Sequence, residues 1–319
     1  MTVARRSVLR LSIVFGLLLA CRLASPTAET PPATPTFASL APGDHELRLV
    51  NDGRDRSYAL HVPAGLDAAQ PVALVLAFHG GLGTASYMPA LTGFSRKADR
   101  EGFLVAYPNG TGALDDRLFT WNGGTCCGYA TRENVDDTGF VRAVIDDIAS
   151  RLPVDPRRIF ATGISNGGIL SYRLACEMAD RVAAIGSVAG TQNLPGCAPS
   201  APVSILHIHG TADQHLPFEG GVGPESLAGV DFASVADSIN FWQRADQCPA
   251  EAMIAVSGIV THTTYAPCAA GSAVELYAIE GGGHAWPGGI AAWQGGDPPP
   301  MELNATDVLW SFFAAHPKP

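Results

Sequence analysis

Five segments of this 319-residue chain, at 72–78, 103–107, 158–161, 183–189 and 203–208, are largely apolar runs with no regular polar alternation. A strand with one face in water alternates with a period of two, whereas a strand buried on both faces does not. These runs therefore call for a mostly parallel sheet covered on both sides. Helical patterns separate them: 138–152 with Asp137 as N-cap, then from Ser165 to about 179, then 234–244, and 305–315 opened by Asn304 with Asp307 three places on. Ahead of the runs, 46–50 and 56–63 alternate around Asn51–Asp52–Gly53, the mark of a hairpin. A last strand at 273–279 precedes the closing helix. The expectation is an α/β fold with a mostly parallel central sheet, an N-terminal antiparallel hairpin and helices on both faces. In such sheets ligands gather at the C-terminal ends of the strands.

The first residues read differently. Arg5 and Arg6 precede the apolar run 8–20, too short for a confident membrane span and of the length of a signal core. The run ends Leu18–Leu19–Ala20–Cys21, which is similar to a bacterial lipoprotein signal with Cys21 as the lipidated residue; an ordinary secretory signal cut a few residues later is the alternative. Residues 1–21 are thus expected to be an export signal, 22–44 a Pro/Thr/Ala-rich tether, and 45–319 a catalytic domain. With 47% hydrophobic residues, that domain can bury a sizeable core. A net charge of −10 argues against nucleic acid and anionic membranes as partners, so membrane contact is expected only through a lipid on Cys21.

Six cysteines remain after Cys21, and an even count in an exported protein reads as disulfides. Cys248 and Cys268 flank a short β-like excursion and are expected to pair. Cys176–Cys197 is the next expectation, which leaves Cys126 and Cys127 as a vicinal pair. Neither a CxxC spacing nor clustered histidines speaks for zinc, and no metal is expected.

The chemistry centres on Gly163–Ile164–Ser165–Asn166–Gly167, a G-x-S-x-G stretch directly after an apolar strand and directly before a helical pattern. That context suits a nucleophile elbow, where a bend too tight for bulky neighbours raises the serine to the start of a helix. A serine hydroxyl needs a base, and the base a partner that orients it. Asp213 follows the 203–208 run in His209–Gly210–Thr211–Ala212–Asp213 and is the candidate acid. His284 follows the last strand in a glycine-rich loop, Gly281 to Gly289, and is the candidate base over His215, His262 and His316. Backbone donors for an oxyanion are expected from Asn166 and from the turn His79–Gly80–Gly81–Leu82–Gly83, with Gly81 preferred and Leu82 the fallback. His79 reads as a loop brace rather than a catalyst. Asp136 and Asp137 read as helix caps rather than metal ligands, and Trp242, Trp310 and Phe313 as core. Trp121 and Trp286 are candidate aromatic walls for a sugar or aryl group.

HGGLG, WNGGTCCG, DDTGFVRAVIDDI, GISNGG, HIHGTAD and GGGHAWPGG occur in this order over roughly 45–316. The set resembles the secreted esterases grouped with poly(3-hydroxybutyrate) depolymerases and feruloyl or acetylxylan esterases. The resemblance implies the α/β-hydrolase fold, ester hydrolysis by a Ser165–Asp213–His284 triad, an oxyanion segment at the HGG turn, and no cofactor. The expected partner is an ester substrate, an oligomeric polyester or an acylated polysaccharide. No separate polymer-binding module follows the catalytic region, which weakens the expectation of attack on insoluble polyester. Two readings from other classes remain. A serine peptidase on the same fold shares the triad order, but 45–319 leaves no room for a gating propeller. A lipoprotein that binds glycan or polymer without turnover would show a broken triad.

Overall fold

The computed structural model describes residues 1–2, 40–67, 70–114, 117–292 and 295–319. Apart from residues 1–2, the expected export signal with Cys21, and the expected tether as far as residue 39, lie outside the described residues.

A ten-stranded sheet organises the chain. In chain order its strands are β1 (Gly43–Asn51), β2 (Arg54–Val62), β3 (Val72–Phe78), β4 (Leu104–Pro108), β5 (Val154–Ile164), β6 (Ala184–Val188), β7 (Ser204–Gly210), β8 (Met253–Ser257), β9 (Val260–Tyr265) and β10 (Val274–Ile279). Their order across the sheet is β1-β2-β4-β3-β5-β6-β7-β10-β9-β8. The six strands from β4 to β10 run parallel, and antiparallel hairpins, β1–β2 and β9–β8, form the two edges. β1 begins at Gly43, inside the stretch expected as tether.

The apolar runs sit where their lack of alternation requires. Every residue of β3 is buried, with Leu74, Leu76 and Phe78 in one core and Ala73, Val75 and Ala77 in the other. The first core is closed by α4 (Asp137–Arg151), α5 (Asn166–Glu177) and α6 (Val235–Ala245). The second is closed by α1 (Met88–Thr92), α2 (Phe94–Glu101) and α7 (Ala305–Ala315). A short helix, α3 (Gly128–Arg132), lies in the long connection between β4 and α4. Trp242, Trp310 and Phe313 are core residues.

The boundary of α4 needs correction. Asp136, not Asp137, is the N-cap and accepts from the Gly139 amide at 2.7 Å. Asp137 is the first helical residue and is drawn inward, because the Arg56 guanidinium (2.8 Å) and the Asn122 amide (2.8 Å) both donate to its carboxylate. α1 and α2 were not foreseen, since Pro89 and Gly93 break their stretch into pieces too short for a clear 3.6-residue period.

Three disulfides join Cys126 to Cys127, Cys176 to Cys197, and Cys248 to Cys268. The last joins the turn after α6 to the turn after β9 and so closes a loop around the β8–β9 hairpin. Replacing both Cys248 and Cys268 with serine should lower stability by about 3 kcal/mol, chiefly by freeing the unfolded chain. Urea titration of oxidised wild type and variant checks this, and superimposable curves would rule it out.

Candidate active site

Ser165 lies between the end of β5 and the first residue of α5 with φ 57° and ψ −125°, a conformation that side chains rarely adopt. The bend brings the start of α5 against the β3 turn. A Cβ on Gly163 would lie 2.6 Å from the Gly167 carbonyl carbon, and one on Gly167 would lie 2.6 Å from the His79 oxygen. Both glycines are therefore demanded by close backbone approach, and the half-buried serine is left standing at the top of the sheet.

Asp213 lies three residues beyond the end of β7. Its Oδ1 accepts from the amides of His215 (2.8 Å) and Leu216 (2.9 Å), which anchors that oxygen. Its Oδ2 accepts from His284 Nδ1 at 2.7 Å. Burial alone would push the Asp213 carboxyl up. The hydrogen bonds from His209 and His284 and the attraction of those rings outweigh burial and hold it well below the usual carboxylate range. The carboxyl is thus held in its anionic form. With Nδ1–H committed to Asp213, the neutral His284 ring presents Nε2 as its basic nitrogen. The backbone N–H of His284 donates to Asp297 Oδ2 at 2.6 Å. That approach is open because residue 283 is glycine, whose added Cβ would fall 2.6 Å from the Asp297 carboxyl carbon.

Ser165 and His284 face the same cleft, together with Gly80, Gly81, Met88 and Leu91. A Cβ built on Gly81 would lie 3.8 Å from the Asn166 Cβ, so the two expected oxyanion donors are neighbours. The Leu82 amide is spent on Phe119 O at 2.7 Å, which removes the fallback donor. The Asn166 amide is the first of α5, where the helix dipole adds to any attraction for negative charge. His79 braces this turn: Nδ1–H donates to Gly80 O (2.7 Å) and Nε2 accepts from the Gly110 amide (3.0 Å). Burial pushes the His79 imidazole down to about 4, so it serves as a neutral strut.

Trp121 and Trp286 are not cleft walls, contrary to expectation. Both indoles are 0% exposed, because each ring N–H finds a buried acceptor, His79 O at 3.0 Å for Trp121 and Thr306 Oγ1 at 3.1 Å for Trp286. Trp286 also packs edge-on against Phe94 in the core. Trp121 acts from behind: its backbone N–H donates to Asn166 Oδ1 (2.7 Å) and its O accepts from Asn166 Nδ2 (3.0 Å), a two-point clamp on the residue after Ser165. The aromatic ring that does line the cleft is Tyr87, whose hydroxyl donates to Ala291 O. Asp297 and Tyr87 carried no motif of their own in the sequence. His209 stood in plain view in HIHGTAD, and its spacing of two from His207 on a strand was the unused signal.

Comparison with known proteins agrees with this geometry. The family model described as Esterase PHB depolymerase matches residues 56–214. The chain is 32% identical to the putative esterase NocK of Nocardia uniformis subsp. tsuyamanensis, over 96% of this chain and 94% of that protein. It is 30% identical to Feruloyl esterase B of Piromyces equi over 75% of this chain, a match that spans 44% of that longer protein. Among solved structures it is similar to an acetyl xylan esterase from Aspergillus awamori, with a TM-score of 0.60 over 86% of this chain and 99% of the other. At 14% identity that likeness speaks for the fold alone. A strand–serine–helix elbow, a histidine in the same cleft backed by a buried aspartate, and a relative matched over 94% of its length therefore point one way: this chain belongs to the esterase family of the PHB depolymerases and feruloyl and acetylxylan esterases, and it is a carboxylic ester hydrolase on the α/β-hydrolase fold.

Proposed function

We propose that the chain is an exported serine esterase that works through an acyl-enzyme on Ser165. The observation that carries this reading is the 2.7 Å bond from buried Asp213 to Nδ1 of His284, whose ring faces the cleft that also holds the Ser165 elbow. His284 Nε2 takes the hydroxyl proton as Oγ attacks the ester carbonyl, and the Asp213 anion stabilises the imidazolium that forms. The Gly81 and Asn166 amides receive the oxyanion, each worth about 2.7–4 kcal/mol in the transition state. The imidazolium then protonates the departing alcohol, and water, activated by the same nitrogen, releases the acid. The substrates are soluble feruloyl or acetyl esters of plant polysaccharide, or hydroxybutyrate oligomers. The cleft supports a compact acyl group, since Met88, Leu91 and Ile164 give it apolar walls and Tyr87 stands at its side. Three disulfides suit an oxidising compartment and support export.

A fluorophosphonate probe tests the reading, because it phosphonylates a serine only where a base and an oxyanion site activate it. Peptide mass spectrometry should place the label on Ser165 alone. Full labelling elsewhere, or none in a protein that hydrolyses p-nitrophenyl acetate, would sink it. A panel of feruloyl, acetyl-xylan and hydroxybutyrate-trimer substrates then ranks the acyl groups.

A further inference from the structure

Behind Asp213 lies a row of three buried side chains that the ester chemistry above does not use. Tyr172 on α5 and His207 and His209 on β7 are 0%, 0% and 1% exposed. His207 and His209 are two apart on one strand, so both point to the α5 face. Tyr172 Oη lies 2.7 Å from His207 Nδ1, and His207 Nε2 lies 2.9 Å from His209 Nδ1. His209 Nε2 in turn lies 2.8 Å from Leu216 O and 3.3 Å from Asp213 Oδ2.

The chemistry of the far end sets the direction of the row. A backbone carbonyl and a carboxylate only accept, so His209 Nε2 must carry its proton. With the fully buried His207 neutral, two arrangements then remain. In the neutral one, Tyr172 O–H donates to His207 Nδ1, His207 Nε2–H donates to His209 Nδ1, and His209 Nε2–H is shared between Leu216 O and, at longer range, Asp213 Oδ2. In the other, His209 is a cation, His207 is turned into its opposite tautomer and donates to the Tyr172 oxygen. The second leaves the Tyr172 hydroxyl proton with no acceptor among the described residues, in a fully buried site, which costs a hydrogen bond. Burial also holds the Tyr172 phenol protonated and pushes the His207 imidazole far toward its neutral form. The neutral, one-way row is the one in which every group is satisfied.

We propose that Tyr172, His207 and His209 are positioning residues: a one-way row of donors that ends on Asp213 Oδ2, holds that oxygen in line with His284, and ties the acid loop to the helix that begins at Ser165. The proposal rests on the triad reading of Ser165, Asp213 and His284. Its physical content is rotational. Two backbone amides hold Oδ1, whereas among the described residues Oδ2 meets the two imidazoles, His284 at 2.7 Å and His209 at 3.3 Å. Without His209 the carboxylate can swing on Oδ1 and carry His284 off line. Tyr172 sits on α5, the helix led by the elbow, so the row closes a circuit from the nucleophile's helix, through β7, to the acid and base.

The test is to record histidine ring 15N–1H spectra of the full chain between pH 6 and 8, assigned with His207→Gln and His209→Gln. Both rings should be neutral with the proton on Nε2. A proton on Nδ1 of either ring, or a cationic His209, overturns the row. Kinetics supply the functional arm. His209→Leu should lower kcat for p-nitrophenyl acetate about 10–100-fold, the cost of a small misplacement, with KM within about twofold. His209→Gln keeps one donor and one acceptor and should restore most of the loss. A folded His209→Leu with wild-type kcat, or a Gln variant no better than Leu, overturns the positioning role. If His209→Leu does not fold, the wild-type tautomers decide. The tautomers are read without turnover, so wrong tautomers beside a labelled Ser165 sink the row alone, whereas an unlabelled Ser165 sinks the triad and the positioning role with it.

Discussion

Ser165→Ala should fold as the wild type does and lose about six orders of magnitude in kcat toward p-nitrophenyl acetate, leaving only the rate that the oxyanion donors and binding provide. The size of the effect follows from the division of labour in the cleft. In the proposed mechanism the base, His284, and the acid, Asp213, act only through the Ser165 hydroxyl, so its removal silences all three. For the same reason His284→Ala should cost about as much alone as with Ser165→Ala, because the three side chains act as a unit. Folding should survive because alanine meets the same φ of 57° that serine does, and the elbow is held by Gly163, Gly167 and the Asn166–Trp121 clamp rather than by the hydroxyl. Steady-state kinetics with a matched thermal melt check both halves. Residual turnover within about a hundredfold of wild type would show that another group attacks the ester.

The parts of this site that were legible in the sequence are those fixed by backbone constraint. An unbroken apolar run followed by glycines around a serine can be satisfied by few structures, and Ser165 stands where that constraint puts it. Asp213 and His284 could be expected to meet, as they do, because each follows a strand of the parallel sheet, and strand ends converge. Five of the six parallel strands, β3 to β7, were legible from apolar runs with no polar face to offer water, whereas β10, with Glu275 and a half-buried face, was expected only as a last strand. What sequence could not supply is which side of a loop a residue faces. Trp121 and Trp286 stood beside the right loops, yet their indole N–H groups found acceptors inward, so both rings went to the core. Asp297 gave no signal because its role depends on a single bond from the His284 amide, thirteen residues away along a loop of no regular period, made over Gly283. The Asp136 and Asp137 pair shows the limit at single-residue scale. Either could cap α4 by propensity, and a partner 81 residues earlier decided which one turned inward.

That partner supports the second large effect. Arg56→Met should lower stability by about 3–5 kcal/mol, since it leaves the fully buried Asp137 carboxylate without its counter-charge. Arg56 and Asp137 are 3% and 0% exposed, and the guanidinium also stacks 3.8 Å over the Phe140 ring. Burial drives the two groups in opposite directions, Arg56 down and Asp137 up, and each is rescued mainly by the other. The pair itself therefore adds little over an apolar replacement, and Arg56→Met with Asp137→Leu should recover much of what Arg56→Met loses. Recovery of stability should not bring recovery of activity. Asp137 Oδ2 holds the Asn122 amide at 2.8 Å, Asn122 follows the Trp121 that clamps Asn166, and Asn166 supplies a proposed oxyanion donor. The double variant should thus unfold in urea near the wild-type midpoint while its kcat stays depressed. A single Arg56→Met variant within about 1 kcal/mol of wild type would mean that water or a shifted side chain replaces the guanidinium, and that the buried charge is not what ties β2 to the catalytic loop.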